Sequence, residues 1–501
     1  MPRTATARPR PVRLRDYRPP AFAIDTTDLL VELDPDATRI RARLQFRRLT
    51  AGPTPLVLAG RDLVLTGLSL DGEPLAADRF QVRPGQLTVQ EPPERFLLEV
   101  STRVNPAANT ALEGLYTSGG LFCTQCEPEG FRRLTYFLDR PDVLSVFTTT
   151  IVADPERWPV LLANGNLAAA GSWPDGRSYA RWHDPFPKPC YLFALVAGPL
   201  VAAEDAFVTA SGRRVELKLY VRPEHLDRTD HALASLKKAM AWDERVFGRE
   251  YDLDLYMIVA IDDFNMGAME NKGLNLFNAQ YVLAKPETAT DADFQSITAV
   301  IAHEYFHNWT GNRITCRDWF QLSLKEGLTI FRDQEFTADT VCRPVKRIND
   351  VRHLRTSQFP EDAGPLAHPV QPQSYIEINN FYTSTVYQKG AEVARMLRLV
   401  VGEAAFMAGM DLFFRRHDGQ AVTIDDFLAA MAETSGQDLG QFRRWYTQAG
   451  TPEVRVEHTY DPRRRRLRLV LEQDCPPSPG QRRKAPFLIP VAVGLVGSQG
   501  Q

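Results

Sequence analysis

Two histidines and a glutamate in the segment HEYFH have the types and spacing that bind a metal ion. His303 and His307 lie one helical turn apart, so both imidazoles face one side and can hold one Zn²⁺. Glu304 lies between them, where a carboxylate can accept a proton from water without binding the metal. The segment predicts metal-assisted hydrolysis, although a buried helix with two hydrogen-bonded histidines is an alternative from this motif alone.

A third ligand is needed, because a catalytic zinc generally has three protein ligands and one open position. Glu326 follows His307 by 19 residues, in the segment WFQLSLKEGLTIF. Trp319, Leu322 and Leu328 indicate a largely buried helix, where a charged glutamate is costly without a partner. Taken alone, Glu326 could equally lie on the polar face of that helix, but together with HEYFH the ligand interpretation is favoured.

Hydrophobic periodicity predicts three parts that must position these residues. Strand-like alternation predicts an antiparallel all-β domain over residues 1–198, with residues 1–20 as a flexible, solvated tail. Helical spacing predicts the catalytic domain over residues 199–450, and alternation returns in a partial β-sandwich over residues 451–501. The alternation is clearest at four apolar positions between arginines: Ile40, Ala42, Leu44 and Phe46.

Capping residues mark the predicted helices. Thr290 with Asp293 predicts the start of the helix that carries HEYFH, and Thr423 with Asp426 predicts a second capping box. Glycines follow two apolar periodic runs, Gly248 after the first and Gly402 after the run from Lys389 to Val401, and predict helix ends.

Composition excludes several classes of protein. The net charge is -3 and the pI is near 6.4, which gives no nucleic-acid footprint. No run approaches the roughly 20 apolar residues that span a bilayer, so no membrane contact is expected. Six scattered cysteines, including the CTQC pair Cys123 and Cys126, indicate packed free thiols and a cytoplasmic location.

Three motifs in one order resemble the aminopeptidase N family of zinc metallopeptidases. They are GAMEN at Gly267 to Asn271, HEYFH followed by Glu326, and TVYQKG at Thr385 to Gly390. The segments CTQCEPEGFR, FLDRPDV and RRWYTQAGTP are similar to the bacterial alanyl aminopeptidases of that family. The resemblance implies a multidomain α+β fold with an N-terminal antiparallel β domain, a thermolysin-like zinc catalytic domain and the start of a β-sandwich.

The resemblance also implies a function and assigns roles. It implies an enzyme of the alanyl aminopeptidase type, with one Zn²⁺ per chain, that releases N-terminal amino acids with broad specificity, including Ala, from peptides with a free N-terminus. We expect this enzyme to be a monomer. His303, His307 and Glu326 would bind zinc, Glu304 would be the general base, and Tyr387 would stabilise the oxyanion. The other implied residues contact substrate: Gln125, Glu127, Met266, Gly267, Ala268, Met269, Glu270 and Asn271. Asn379, Asp333 and Tyr382 lie in matching stretches and would have supporting roles.

Charge separates this interpretation from two others. A free N-terminus is an ammonium group, so an exopeptidase needs carboxylates beside the metal, and Glu270 and Glu127 match the two amine-binding acids of the family. A thermolysin-type endopeptidase would not need those two residues. A non-catalytic binding module with structural zinc would not need Glu304.

One departure from the family concerns length. Family members usually continue into a second β-sandwich and a long helical domain, whereas this sequence stops at Gln501. We therefore expect a C-terminally truncated chain that lacks the helical domain. The apolar run from Phe487 to Val496 would then lack partner strands and leave an exposed edge.

Overall fold

Strands build the first part of the chain in the computed structural model, which describes residues 10–500. Turn residues and alternating apolar positions separate and orient these strands, as the sequence predicts. They are β1 (Val12–Arg13), β2 (Phe22–Glu32), β3 (Thr38–Arg48), β4 (Leu56–Ala59), β5 (Val64–Leu70), β6 (Glu73–Pro74), β7 (Phe80–Arg83), β8 (Gln86–Val89), β9 (Arg95–Val104), β10 (Gly114–Ser118), β11 (Leu121–Gln125), β12 (Leu144–Ala153), β13 (Val160–Ala163), β14 (Asn166–Ser172), β15 (Ser178–Pro189) and β16 (Leu195–Gly198).

Strands β2 to β16 form three sheets around one core. The largest has eight strands in the order β14-β15-β12-β2-β3-β9-β5-β6, and the others have the orders β10-β11-β16-β13 and β4-β8-β7. The four apolar residues of β3 are at most 2% exposed, which confirms the predicted alternation. Pairing is antiparallel, as predicted, at every pair except that of β12 with β2, which run parallel.

The N-terminal segment is partly docked. Residues 1–9 of the predicted flexible tail lie outside the described residues. From Val12 onward the chain differs from that prediction, because β1 pairs with Ser374–Tyr375 in the helical part. Tyr17 then donates a hydrogen bond of 2.8 Å to Asp142.

Helices dominate the second part of the chain, which makes the fold α+β as predicted. Its elements are β17 (Val201–Val208), β18 (Arg214–Val221), α1 (Asp230–Phe247), β19 (Leu255–Ile261), β20 (Ala268–Met269), β21 (Leu274–Asn278), α2 (Asp291–Phe306), β22 (Ile314–Cys316), α3 (Leu322–Thr337), α4 (Arg343–His353), α5 (Phe359–Ala363), β23 (Ser374–Tyr375), α6 (Gly390–Val401), α7 (Glu403–His417), β24 (Gln420–Val422), α8 (Ile424–Ser435) and α9 (Arg444–Thr447). The predicted domain limits at residues 198 and 450 stay predictions.

The predicted helix signals are confirmed. Thr290 and Thr423 each form a complete capping box with the aspartate three residues on. Gly248 ends α1 with φ of 64°, the left-handed conformation that glycine adopts without strain. Gly402 follows α6 directly.

Irregular helical turns join several of these elements. Short 3₁₀ turns occur at Leu14–Asp16, Phe131–Arg133, Cys190–Leu192, Pro223–Arg228, Ala279–Tyr281, Trp319–Gln321 and Ile378–Phe381. Wider π-helical turns occur at Ala338–Cys342, Leu354–Gln358 and Thr385–Lys389. Turns of the wider kind are rare and frequently mark functional sites, and the last one carries Tyr387.

One mixed sheet lies beside the helices that carry HEYFH and Glu326. Its order is β17-β18-β19-β21-β20, with β18, β19 and β21 parallel and β20 antiparallel at the edge. The GAMEN motif begins just before β20, so the edge of this sheet carries it next to α2.

A hairpin and an irregular segment complete the described chain. Strands β25 (Glu453–Asp461) and β26 (Arg466–Asp474) pair as the alternation predicts. The apolar run from Phe487 to Val496 forms no strand: Phe487 is buried against Trp445, with ring centroids 4.4 Å apart, whereas Val496 is 81% exposed. None of the helices within residues 10–500 is long and apolar enough to cross a membrane.

A buried glutamate joins α3, the helix of Glu326, to its neighbours. Glu335 accepts hydrogen bonds of 2.9 Å from Arg343 and from Arg398, and it also pairs with Arg395 of α6. Burial alone would raise the pKa of Glu335, but these arginines outweigh it and lower the pKa from 4.5 to about 2. Ionised Glu335 therefore stabilises the fold.

We expect Glu335→Gln to lower the free energy of unfolding at pH 7 by about 1–3 kcal/mol, because three arginines lose the carboxylate that they share. A depressed folded pKa gives stability that is complete above about 4.5 and is lost as pH falls toward about 2. The difference between wild type and variant, measured by urea unfolding at pH 7, 5, 4 and 3, should therefore shrink below pH 4.5. Glu403→Gln removes the exposed partner of Arg398 and should have little effect at any pH. A difference that does not change with pH would contradict the assignment.

Candidate metal centre

Helix α2 presents both histidines of HEYFH to one cavity. The helix is only weakly amphipathic. At its C-terminal end one face packs against the core and another faces the cavity, so both faces are buried. His303 lies in its last turn and His307 is the residue that ends it, with the two ring centroids 4.5 Å apart. The four-residue spacing thus brings both rings to one side, as predicted.

Glu326 of α3 completes a three-residue cluster. Its Oε2 lies 3.4 Å from Nε2 of His303 and 3.4 Å from Nε2 of His307. The side chains of all three residues are almost completely buried. Oε2 makes no hydrogen bond with any residue in the described part of the chain. Two imidazole nitrogens and one carboxylate are the donor set of a catalytic zinc site, so these residues fit the metal.

Acceptors behind the rings orient both histidines. Nδ1 of His303 lies 3.0 Å from Oδ2 of Asp333, and Nδ1 of His307 lies 2.8 Å from the carbonyl oxygen of Thr310. Each acceptor needs a proton on Nδ1, which leaves the Nε2 lone pair free to bind a cation. Asp333, for which only a supporting role was expected, therefore contacts His303 and orients its ring.

A lysine that the sequence patterns did not single out lies among the acidic residues. Nζ of Lys325 is 2.7 Å from Glu127 and 2.7 Å from Glu270, and it also pairs with Glu326. Burial alone would lower the pKa of Lys325, but the three carboxylates raise it well above its usual value. The available signal was a lysine in a helix that the sequence predicts to be largely buried.

One ammonium does not neutralise three carboxylates. Burial and neighbouring carboxylates raise the pKa of Glu127 to about 8, against the effect of Lys325. Glu270 differs, because Lys325 and His307 outweigh its burial and lower its pKa. The site therefore keeps an excess of negative charge that favours an added cation.

Glu304 and Tyr387 face the same space. Burial raises the pKa of Glu304 well above its usual value, and Glu270 and Glu326 add to the rise. Burial likewise raises the pKa of Tyr387, followed by the charge of Glu326, so its hydroxyl keeps its proton. A glutamate that readily takes up a proton and a phenol that donates a hydrogen bond are the groups that acyl hydrolysis requires.

The cavity between these groups has a volume of about 340 Å³. Among the residues assigned to the site from the sequence, those that line it are Glu127, Met266, Gly267, Ala268, Glu270, His303, Glu304, His307, Glu326, Asp333 and Tyr387.

The remaining assigned residues are not among those that line the cavity. Gln125 is buried and donates from Nε2 to the carbonyl oxygen of Glu127 at 3.3 Å, while Met269 and Asn271 are buried in the strand and turn behind the cavity. Tyr382 lies beside Tyr387, with ring centroids 6.4 Å apart. Asn379 donates a hydrogen bond of 3.2 Å from Nδ2 to Oε1 of Glu113.

Asn312 is a second residue that sequence reasoning missed. Its Nδ2 donates a hydrogen bond of 2.8 Å to the carbonyl oxygen of Glu270, which ties GAMEN to the turn after α2. The contact spans 42 residues of sequence, so spacing carries no signal for it.

Comparison with known families agrees with this geometry. The family described as "Peptidase family M1 domain" matches residues 231–446, and "Peptidase M1 N-terminal domain" matches residues 81–192. The chain belongs to peptidase family M1. Residues 450–501 match a domain of unknown function with an Ig-like fold.

Individual relatives of this M1 chain cover nearly all of it. It is 55% identical to aminopeptidase N of Escherichia coli over 99% of this chain and 57% of that protein. It is 58% identical to aminopeptidase N of Caulobacter vibrioides over 91% of this chain and 53% of that protein. The chain thus spans about half the length of these curated relatives.

A solved structure is similar as well. The crystal structure of aminopeptidase A from Legionella pneumophila in complex with aspartic acid superposes with a TM-score of 0.87 at 35% identity. The match covers 93% of this chain and 54% of that one.

The contact behind His303 gives a prediction about the metal. Asp333→Asn should weaken zinc binding roughly 10- to 100-fold, because an amide no longer fixes the proton on Nδ1 of His303. Competition with a chromophoric chelator measures that affinity. Asp411→Asn alters an exposed aspartate of α7 and should leave it unchanged. Equal zinc affinity in wild type and Asp333→Asn would rule out this role for Asp333.

Proposed function

We propose that this chain carries the catalytic centre of a zinc-dependent aminopeptidase, which hydrolyses the first peptide bond of peptides with a free N-terminus. Membership of family M1 and the named relatives support the reaction class. The finer assignments also belong to the proposal: one zinc per chain, an alanyl type with broad preference, a monomer and a cytoplasmic location.

The chemistry is divided among a few residues. His303, His307 and Glu326 would hold the zinc, which when bound supplies a Lewis acid and makes water more acidic. Glu304 accepts the proton of the attacking water and returns it to the leaving amine, a task that suits its raised pKa.

Tyr387 acts on the other side of the scissile bond. Its neutral hydroxyl donates a hydrogen bond to the carbonyl oxygen as negative charge develops there. The low polarity that raises its pKa also strengthens this hydrogen bond, because little water competes for the oxygen.

The feature that most supports an aminopeptidase is the pair Glu127 and Glu270 beside the metal cluster. Both are buried, both line the cavity, and Lys325 compensates them only in part. Burial and the neighbouring carboxylates raise the pKa of Glu127 to about 8, and a substrate ammonium beside it would stabilise its charged form. Binding the amine there would hold the first peptide bond near Glu304 and Tyr387.

The test is hydrolysis of alanyl p-nitroanilide and of its N-acetylated form by the same preparation. We expect turnover of the free amine only, because the acetylated compound lacks the ammonium. Glu304→Gln should lower kcat about 10²- to 10⁴-fold. Glu270→Gln should lower kcat/KM about 10- to 150-fold through the loss of a charged hydrogen bond.

The matched control is Glu129→Gln, two residues from Glu127 in the same loop. Glu129 lines a different cavity, so this variant should keep wild-type kcat/KM. Equal rates on the free and acetylated compounds would instead indicate an endopeptidase. Zinc binding without hydrolysis of either compound would exclude the proposed activity for this chain.

A further inference from the structure

Tyr387 lies in an irregular stretch of backbone. Residues 385–389 form a π-helical turn that leads directly into α6 at Gly390. Single turns of this kind are rare and frequently lie at functional sites. The question is what fixes the hydroxyl relative to Glu326.

Helices α3 and α6 touch at a pair of glycines. A Cβ built on Gly327 would lie 2.9 Å from Cα and 2.9 Å from the carbonyl carbon of Gly390. A Cβ built on Gly390 would lie 2.2 Å from Oγ of Ser323 and 3.0 Å from Cα of Gly327. The glycine atoms are backbone and cannot rotate away, so a side chain at either position would force the helices apart, and at Gly390 it would also displace the Ser323 hydroxyl.

A second contact lies one helical turn earlier on the same face of α3. Ser323 donates a hydrogen bond of 2.8 Å from Oγ to the carbonyl oxygen of Val386. Ser323 and Gly327 are four residues apart, and their partners Val386 and Gly390 are also four apart. Tyr387 lies between those partners, and Glu326 lies next to Gly327.

The opposite side of the turn is also held. Glu361 accepts hydrogen bonds from Thr385, at 2.7 Å from its N–H and 2.5 Å from its hydroxyl. Lys389 donates to the carbonyl oxygen of Gly450 at 3.0 Å and pairs with buried Asp362. The turn is thus clamped against α3, and the glycine pair sets how closely it approaches.

We propose that the Gly327–Gly390 contact and the Ser323 hydrogen bond together fix the position of the Tyr387 hydroxyl in the cavity relative to the carboxylate of Glu326. The inference rests on the proposed function, because it takes Tyr387 as the oxyanion donor. Gly327, Gly390 and Ser323 touch neither substrate nor metal and act only through Tyr387. Displacement of a catalytic group by about 1 Å can lower the rate about 100-fold. The distance between α3 and α6 at the two glycines therefore controls turnover.

The experiment is a double-mutant cycle between Gly390→Ala and Tyr387→Phe, with kcat and KM for alanyl p-nitroanilide. We expect Tyr387→Phe to lower kcat about 10²- to 10³-fold. Gly390→Ala should lower kcat by up to the same factor, with KM and bound zinc within about threefold of wild type. In the Tyr387→Phe background, Gly390→Ala should then lower kcat by less than about threefold, because the tyrosine through which it acts is gone.

Gly409→Ala is the matched control. Gly409 also lies at a helix contact, between α7 and α8, but an added Cβ there would meet the flexible side chain of Met431 at 2.5 Å. This variant should keep wild-type kcat in both backgrounds. If Gly390→Ala multiplies its full loss onto Tyr387→Phe, the glycine acts independently of the tyrosine and the inference is overturned.

Ser323→Ala provides a variant that creates no clash, should Gly390→Ala fold poorly. It should lower kcat about 3- to 10-fold, and this loss should also vanish in the Tyr387→Phe background; a loss that persists there overturns the inference.

A measurement independent of activity is the ¹⁹F resonance of 3-fluorotyrosine at position 387. It should shift in Gly390→Ala and not in Gly409→Ala, and an unshifted resonance would overturn the inference. An inactive wild type would count against the proposed function, while the ¹⁹F comparison would still decide the positioning role.

Discussion

The structure depends on holding four buried glutamates in one cavity. Glu270, Glu304 and His307 have ligand atoms within 4.8 Å of one another, and so have Glu127, Glu270 and Glu326. Removing such charges from water is costly, and their mutual repulsion adds to the cost. The protein divides them into two kinds: the pKa values of Glu127 and Glu304 are raised, and those of Glu270 and Glu326 are lowered. Four groups of one chemical type thereby gain separate tasks.

Lys325 and the histidines bring about this division. Lys325 precedes Glu326 on the chain, so α3 supplies both the proposed metal-binding carboxylate and the cation that keeps it ionised. The same ammonium reaches Glu127, which comes from the N-terminal strands, and Glu270, which follows β20. Three separate segments therefore converge on one nitrogen atom. Their relative placement is an electrostatic requirement as well as a matter of packing.

The surrounding fold supplies rigidity where these segments meet. Asn164 donates to the carbonyl oxygens of Leu192 and Lys272, at 2.9 and 2.8 Å, which joins the N-terminal sheets to the turn after GAMEN. Behind α2, buried Arg332 donates to the carbonyl oxygen of Phe306 at 2.9 Å and pairs with Asp243 of α1. A cation at the C-terminal end of α2 offsets the helix dipole beside His307. Charges outside the cavity thus hold the elements that position those inside.

The sequence predicts the parts of this arrangement that are local. His303 and His307 share a face because four residues make about one helical turn, and each capping box is formed within four consecutive residues. The parallel pairing of β12 with β2 joins strands more than 100 residues apart, and no local pattern encodes it. In the sequence Lys325 is not distinguished from other polar residues, because two of its three carboxylate partners lie far away along the chain. Gly327 and Gly390 are similar, because helix propensity disfavours each of them. Only the backbone contact of 2.9 Å explains why α3, which carries the proposed ligand Glu326, and α6, which follows the turn that carries Tyr387, both need a residue without a side chain at that point.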